Sequence, residues 1–245
     1  MANTTIVTSG TKGIGKATVL KILSKSEKTD KIIVNYGHDE LAVEKMKKEL
    51  SEEDWEKLFF IKADMSRYSE MEKFCEKISK ITNSIDWVVL NTGIGTYVPY
   101  DEYTYDVWEN LLRTNLSVPA FFIKSIKPAM NEKGNIVFVG SHAGQEPYSS
   151  SLAYSVSKAA VLFLAKSLVK QFDDKRVSVN AIAPGFIETE WQKGRKPESY
   201  ERINKKIAAH RFGEPVEVAE LIYSILINDY INGSIYDIHG GYNYY

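Results

Sequence analysis

Two side chains able to move a proton, Tyr154 and Lys158, stand four residues apart in AYSVSKAAV. On a helix that spacing puts both on one face. An ammonium beside a phenol favours phenolate and draws the tyrosine pKa from about 10 towards neutrality. That suits a proton donor to a carbonyl oxygen or, in reverse, a base. The same pair is also ordinary on a solvated helix face, so spacing alone does not decide. Ser141 follows the apolar run NIVFV, thirteen residues before Tyr154. Its hydroxyl either reaches the same substrate oxygen or serves a turn. Asn115, within WENLLRTNLSVPAFF, sets a carboxamide in an apolar helix, where it competes with backbone hydrogen bonds unless it faces solvent.

The other chemical signal is VTSGTKGIGKA, residues 7–17, with glycines at 10, 13 and 15. It follows a short apolar run and leads into a helical pattern with Ile14, Val19 and Leu23 in phase. Backbone N–H groups at such a helix start meet a pyrophosphate, and glycines let it approach. The spacing Gly-x-x-Gly-x-Gly differs from the general dinucleotide fingerprint. Read alone, the segment is a phosphate cradle or a plain glycine-rich turn.

These residues need elements to hold them. Short β-rich runs recur at TTIVT (4–8), KIIVN (31–35), LFFIK (58–62), WVVL (87–90), NIVFV (135–139), VSVNAI (177–182) and SIYDI (234–238). Several are apolar on consecutive positions, as in strands covered on both faces. Helical stretches such as DELAVEKMKKEL (39–50) and SEMEKFCEKISKI (69–81) separate them. The alternation predicts an α/β, doubly wound parallel sheet of seven strands with helices on both faces, binding ligands beyond the strands' carboxyl ends. Two stretches, SVPAFFIKSI (117–126) and KAAVLFLAKSL (158–168), are apolar nearly all round, which predicts a subunit interface.

The 245 residues are 44% hydrophobic and 26% charged, with a net charge of −1. No basic field points to nucleic acid. One cysteine, Cys75, excludes an internal disulfide. The four histidines, His38, His142, His210 and His239, show no zinc-ligand spacing, so no metal is expected. No apolar run has the length of a membrane span and no leader pattern is evident, so the expected location is cytoplasmic.

In their order, TSGTKGIG, LNTG (90–93), Asn115, Ser141, the Tyr154/Lys158 pair, NAIAPGFIET (180–189) and NGSIYDIHGG (232–241) resemble the classical short-chain dehydrogenases/reductases. VSVNAIAPGFIETE followed by RFGEPVEVAELI (211–222) looks most like the 3-oxoacyl-acyl-carrier-protein reductase branch. The resemblance covers essentially the whole chain. It implies one Rossmann domain over residues 1–245 with a substrate lid at about 188–213. It also implies hydride transfer between a nicotinamide and a ketone or secondary alcohol, with a 3-oxoacyl thioester, carried by an acyl-carrier protein, among the candidate substrates. In that frame Tyr154 is the acid/base and Ser141 positions the carbonyl. Lys158 tunes the tyrosine and binds the nicotinamide ribose, and Asn115 holds a relay water. The implied cofactor contacts are Ser9, Gly10, Lys12, Gly13, Ile14, Gly15, Asn35, Tyr36, Asp64, Met65, Asn91, Thr92, Gly93, Tyr154, Lys158, Pro184, Gly185, Ile187 and Thr189. Tyr97, Tyr100, His142, Tyr148 and Trp191 flank the catalytic loops and are expected to line the substrate pocket. A homotetramer, or a dimer, is the implied assembly.

The second strand ends Val34-Asn35-Tyr36-Gly37-His38 with no carboxylate before Asp39. A carboxylate there would repel a 2′-phosphate, and Lys12 offers a cation, so NADP(H) is expected over NAD(H). Ser9, Leu90, Thr92 and His239 depart from the family's usual glycine, asparagine, alanine and aspartate. The segment 190–213 is rich in lysine and arginine, which suits an anionic acyl carrier or merely a solvated helix. Two other readings are a reductase of a small or cyclic ketone and a dinucleotide-sensing subunit without turnover.

Overall fold

In the computed structural model, which describes residues 3–147 and 151–242, seven parallel strands form one sheet in the order β3-β2-β1-β4-β5-β6-β7. The strands are β1 (Thr4–Val7), β2 (Lys31–Tyr36), β3 (Leu58–Lys62), β4 (Ile85–Leu90), β5 (Met130–Val139), β6 (Ser178–Pro184) and β7 (Ile235–Ile238). The intervening helices are α1 (Gly13–Leu23), α2 (Glu40–Glu49), α3 (Glu52–Glu56), α4 (Tyr68–Ile81), α5 (Tyr105–Leu112), α6 (Val118–Ile126), α7 (Leu152–Leu168), α8 (Pro197–Asn204) and α9 (Pro215–Leu226).

Side chains alternate across each strand, so neighbours enter opposite cores. Ile6, Val88 and Ile136 pack under α4, α6 and α7 with Phe74, Phe122 and Val161. Val7, Val89 and Val137 pack on the other face with Val19, Ile22, Val218 and Ile222 of α1 and α9. With both faces covered, every residue of β1 and β6 is buried. This is the reason for consecutive rather than alternating apolar residues. β5 starts at Met130, earlier than its apolar core, because a register shift lets Ile85 pair with Met130 and Trp87 with Asn135.

Strand order reverses at β1, which pairs with β2 on one side and β4 on the other. The crevice at such a switch point opens beyond the carboxyl ends of the strands. Thr8 and Ser9, Asn91 and Thr92, Ser141, and Gly185 all leave the sheet at that edge. α7 with its 3-10 extension, Leu152–Lys175, is by length and composition apolar enough to cross a membrane. It connects β5 to β6, with Ala153, Val161, Leu162 and Ala165 buried in the core. The apolar girth of α6 and α7 is thus half explained by the sheet, while Phe121 and Phe163, 48% and 73% exposed, face away from it.

Candidate active site

Asn115 lies in a single π-helical turn, Arg113–Ser117, between α5 and α6. Such a turn breaks the regular ladder and is frequent at functional sites. The carboxamide is buried, at 2% exposure. Its oxygen accepts from Ile94 N at 2.8 Å, and its nitrogen donates to Ile94 O and to Ser157 Oγ, each at 2.9 Å. The Ser157 hydroxyl in turn donates to Tyr154 O at 2.7 Å. Asn115 therefore ties the loop after β4 to the helix bearing Tyr154. The sequence reading missed Ser157, whose signal is its place beside Lys158 on the buried side of α7.

Lys158 is 4% exposed, and its ammonium donates to Val139 O at 2.8 Å. Burial lowers its pKa from 10.5 to about 8. Its Nζ sits 5.9 Å from the Tyr154 ring centroid. Ser141, two residues past the end of β5, lines the cleft together with Tyr154, and its hydroxyl acts on the phenol. Burial nevertheless pushes that phenol above its ordinary value, with the Ser141 hydroxyl opposing the shift. The expected lowering by Lys158 is thus corrected: desolvation of the buried phenol dominates, and it raises the pKa.

The same cleft is lined by Ser9, Lys12, Gly13, Ile14, Asn91 and Gly93 on the glycine-loop side. Pro184, Gly185, Ile187, Thr189 and Trp191 line the other side. Gly140, not singled out in the sequence, also lines it, with Glu190 and Gln192 from the expected lid. Gly140 has no room for a side chain, since a Cβ there would stand 2.4 Å from Leu162 Cδ2. Gly15 is equally confined, with Ser9 O at 2.2 Å from an added Cβ. At the start of α1, the Lys12 side chain makes no capping bond and the first turn holds no acidic residue. Its leading amides are thereby open to an anion, as a pyrophosphate cradle requires.

Other expected contacts sit elsewhere. Asn35 is buried beneath the glycine loop, accepting from Ser9 N at 3.2 Å and donating to Ala63 O at 3.0 Å, so it braces the loop. Gly10 is buried against Val34, and the Met65 side chain belongs to the core. Tyr36 lies at the end of β2, half-buried. Asp64 accepts from Ser66 N and Oγ at 2.9 and 2.7 Å and faces Arg67 and His38. Tyr97 and Tyr100 are exposed, Tyr97 at 88%, and do not line the cleft. His142 is buried against His239, with ring centroids 4.2 Å apart, rather than facing the cleft. Tyr148 lies outside the described residues. Trp191 packs on Tyr154, ring centroids 5.7 Å apart, and lies over Gly95.

Lys12 is not the lone cation its sequence position suggested. The loop after β2 returns Asp39 to it as an ion pair, and Asp39 also caps α2 through Ala42 N at 3.0 Å. The pairing holds the Asp39 carboxyl below its ordinary value.

Two departures from the family pattern meet each other. Ser9 has φ +50°, the left-handed region that favours glycine. Its hydroxyl hydrogen-bonds the Thr92 hydroxyl at 2.8 Å. Where Leu90 enters the core instead of supplying a polar group, Thr8 Oγ1 joins β1 to the loop after β4. It accepts from Asn91 N at 2.9 Å and Thr92 N at 3.1 Å. In urea unfolding, Ser9→Gly is expected to be near neutral, since relief of strain offsets the lost bond. Thr92→Ala should cost about 1 kcal/mol, and the double variant should show a coupling of about 1 kcal/mol. Strict additivity would refute the pairing.

A model of short chain dehydrogenases matches residues 3–199. The chain belongs to the short-chain dehydrogenase family. It is 28% identical over 241 residues to a 3-oxoacyl-acyl-carrier-protein reductase of Aquifex aeolicus, covering 96% of this chain and 95% of the relative. An acetoacetyl-CoA reductase of Rhizobium meliloti is 30% identical over 248 residues, covering 98% of each. The crystal structure of a short chain dehydrogenase family protein from Francisella tularensis superposes with a TM-score of 0.86 at 27% identity, covering all of both chains. As a member of this family, the protein is an NAD(P)-dependent oxidoreductase acting on ketones or alcohols.

Proposed function

We propose that this short-chain dehydrogenase is an NADP(H)-dependent reductase of a ketone, a 3-oxoacyl thioester being the leading substrate class. The observation that carries the reading is the convergence of Ser141, Tyr154, Lys158 and Asn115 at the cleft beside the uncapped start of α1. When bound, the nicotinamide supplies or accepts the hydride. The chain's residues do the rest. The Ser141 hydroxyl holds the substrate oxygen, and Tyr154, a phenol that is protonated at neutral pH and that burial keeps so, gives that oxygen its proton. Lys158, titrating at about 8, replaces the proton near neutrality. Asn115 fixes the π-turn and the Ile94 loop that bound this relay. Reading the chain as one Rossmann domain with a lid over about 188–213 places Trp191, at the start of that lid, above the tyrosine.

The NADP(H) preference rests on Lys12. A ribose 2′-phosphate would draw this ammonium from Asp39 into a charge-assisted hydrogen bond. Lys12→Ala is expected to raise the NADPH Michaelis constant about tenfold, the size of one such bond, and to leave that of NADH unchanged. Asp39→Asn, which releases Lys12, should lower the NADPH constant. Comparable constants for both cofactors in the unaltered protein would end the NADP reading.

The names of the two curated relatives support an acyl thioester substrate. The indole of Trp191 over Tyr154 favours the second reading, a small or cyclic ketone stacked on the aromatic face. NADPH oxidation against a panel of acetoacetyl thioesters and cyclic ketones separates them. Cofactor binding without reduction of any member would instead favour a sensing subunit. The exposed Phe121 and Phe163, with Leu152 and Val156 on α7, support assembly into a homotetramer or dimer through α6 and α7.

A further inference from the structure

Behind the catalytic serine, the fold brings together three groups that lie far apart along the chain. His142 begins the 3-10 turn after β5, Asp237 lies in β7, and His239 follows it. One ligand atom from each lies within 4.8 Å of the other two. We propose that His142, Asp237 and His239 form a binding site for a divalent transition-metal cation of the zinc type, which fastens the Ser141 loop to the end of β7.

The donor set selects the class of ion. Two imidazoles and one carboxylate suit zinc, cobalt or nickel, whereas magnesium and calcium take oxygen ligands. The orientation of the rings also fits. His142 Nδ1 meets Gln145 Oε1 at 3.2 Å, and an amide oxygen only accepts. His142 therefore carries its proton on Nδ1 and its lone pair on Nε2, the arrangement by which outer partners orient metal-binding histidines. His239 Nδ1 accepts from Tyr242 N at 3.1 Å, so this nitrogen holds a lone pair. The same N–H also reaches His239 O at 3.2 Å and keeps that partner when an ion takes the ring nitrogen.

Packing holds two of the ligands close to position. His142 is buried, and Tyr242 meets its ring edge-on at 6.2 Å. His239 lies against Gly185, where an added Cβ would stand 2.6 Å from His239 Cβ. Around a tetrahedral ion with bonds of about 2.1 Å, ligand atoms stand about 3.4 Å apart, so side-chain rotations of roughly an ångström complete the site. Asp237 is exposed and leaves the remaining coordination position open to water. The site lies outside the cleft but adjoins it through two residues, Ser141 before His142 and Gly185 beneath His239.

The test uses untagged, chelator-treated full-length protein titrated with zinc chloride in a calorimeter, and with cobalt(II) followed by its visible d–d bands. The expected result is one equivalent bound, with cobalt bands of tetrahedral or five-coordinate intensity. Zinc should also raise the unfolding temperature. Asp237→Asn, at an exposed position, and His239→Asn should each weaken binding at least tenfold and remove the zinc-dependent thermal shift. His38→Gln, on the glycine-loop side, should change nothing. Failure to saturate at one equivalent overturns the proposal. So does binding that survives both Asp237→Asn and His239→Asn, or binding lost in His38→Gln.

Discussion

Tyr154→Phe is expected to lower kcat for ketone reduction about a thousandfold, within the range typical of a lost general acid. Cofactor affinity should fall by no more than about tenfold, the size of one lost hydrogen bond. The substitution removes one oxygen and keeps the ring on which Trp191 packs. Ser141 keeps the bond it accepts from Ala143 N at 3.2 Å, so its loop keeps an anchor. The fold is therefore retained, and the loss belongs to proton transfer. Nicotinamide fluorescence measures binding and single-turnover absorbance measures chemistry; full turnover with the phenylalanine would refute the mechanism. The raised phenol pKa also gives the two directions opposite pH dependence. Reduction uses the protonated phenol that prevails at neutral pH. Alcohol oxidation needs the phenolate, so its rate should climb as pH rises into the alkaline range.

The features most legible in sequence were those set by local pattern. Runs such as KIIVN and NIVFV announced strands covered on both faces, and the glycine spacing at 10, 13 and 15 marked a confined turn. Ser141, Tyr154 and Lys158 stood out because a strand end and a helical four-residue spacing bring them to the same cleft. What escaped depended on the return path of the chain. The loop after β2 brings Asp39 onto Lys12, which no local pattern encodes. Thr8 reads as an ordinary β-former, yet its hydroxyl pins two switch-point strands. Asn115 lies in an apolar helical period that reads the same whether the turn is α or π. The aromatic wall failed at Tyr97 because flanking a catalytic loop does not fix which way the loop faces. The phenol pKa was misjudged for a different reason. Spacing reports the proximity of a cation but not desolvation, which here acts on both partners.

That desolvation makes Lys158 a costly residue for the fold, and Lys158→Met should reveal the cost. A base whose pKa falls on folding binds fewer protons in the native state than in the unfolded chain. Its penalty is fully present below the folded value of about 8, and it fades as pH rises to the unfolded value of 10.5. A lowering of that size corresponds to about 3 kcal/mol. Methionine fills similar space without charge, but it gives up the bond to Val139 O, worth about 1 kcal/mol. The variant should therefore be about 2 kcal/mol more stable at pH 7, a rise in Tm of about 4–8 °C. The gain should shrink between pH 8 and 10.5, while ketone reduction falls at least about a hundredfold. Thermal unfolding across that pH range, run beside the activity assay, checks both. A variant equally stable at all pH values would mean that Lys158 is not desolvated in the native protein. A more stable variant that kept its turnover would remove Lys158 from the proton relay. The paired outcome, stability gained and catalysis lost, is what a buried ammonium retained for chemistry predicts.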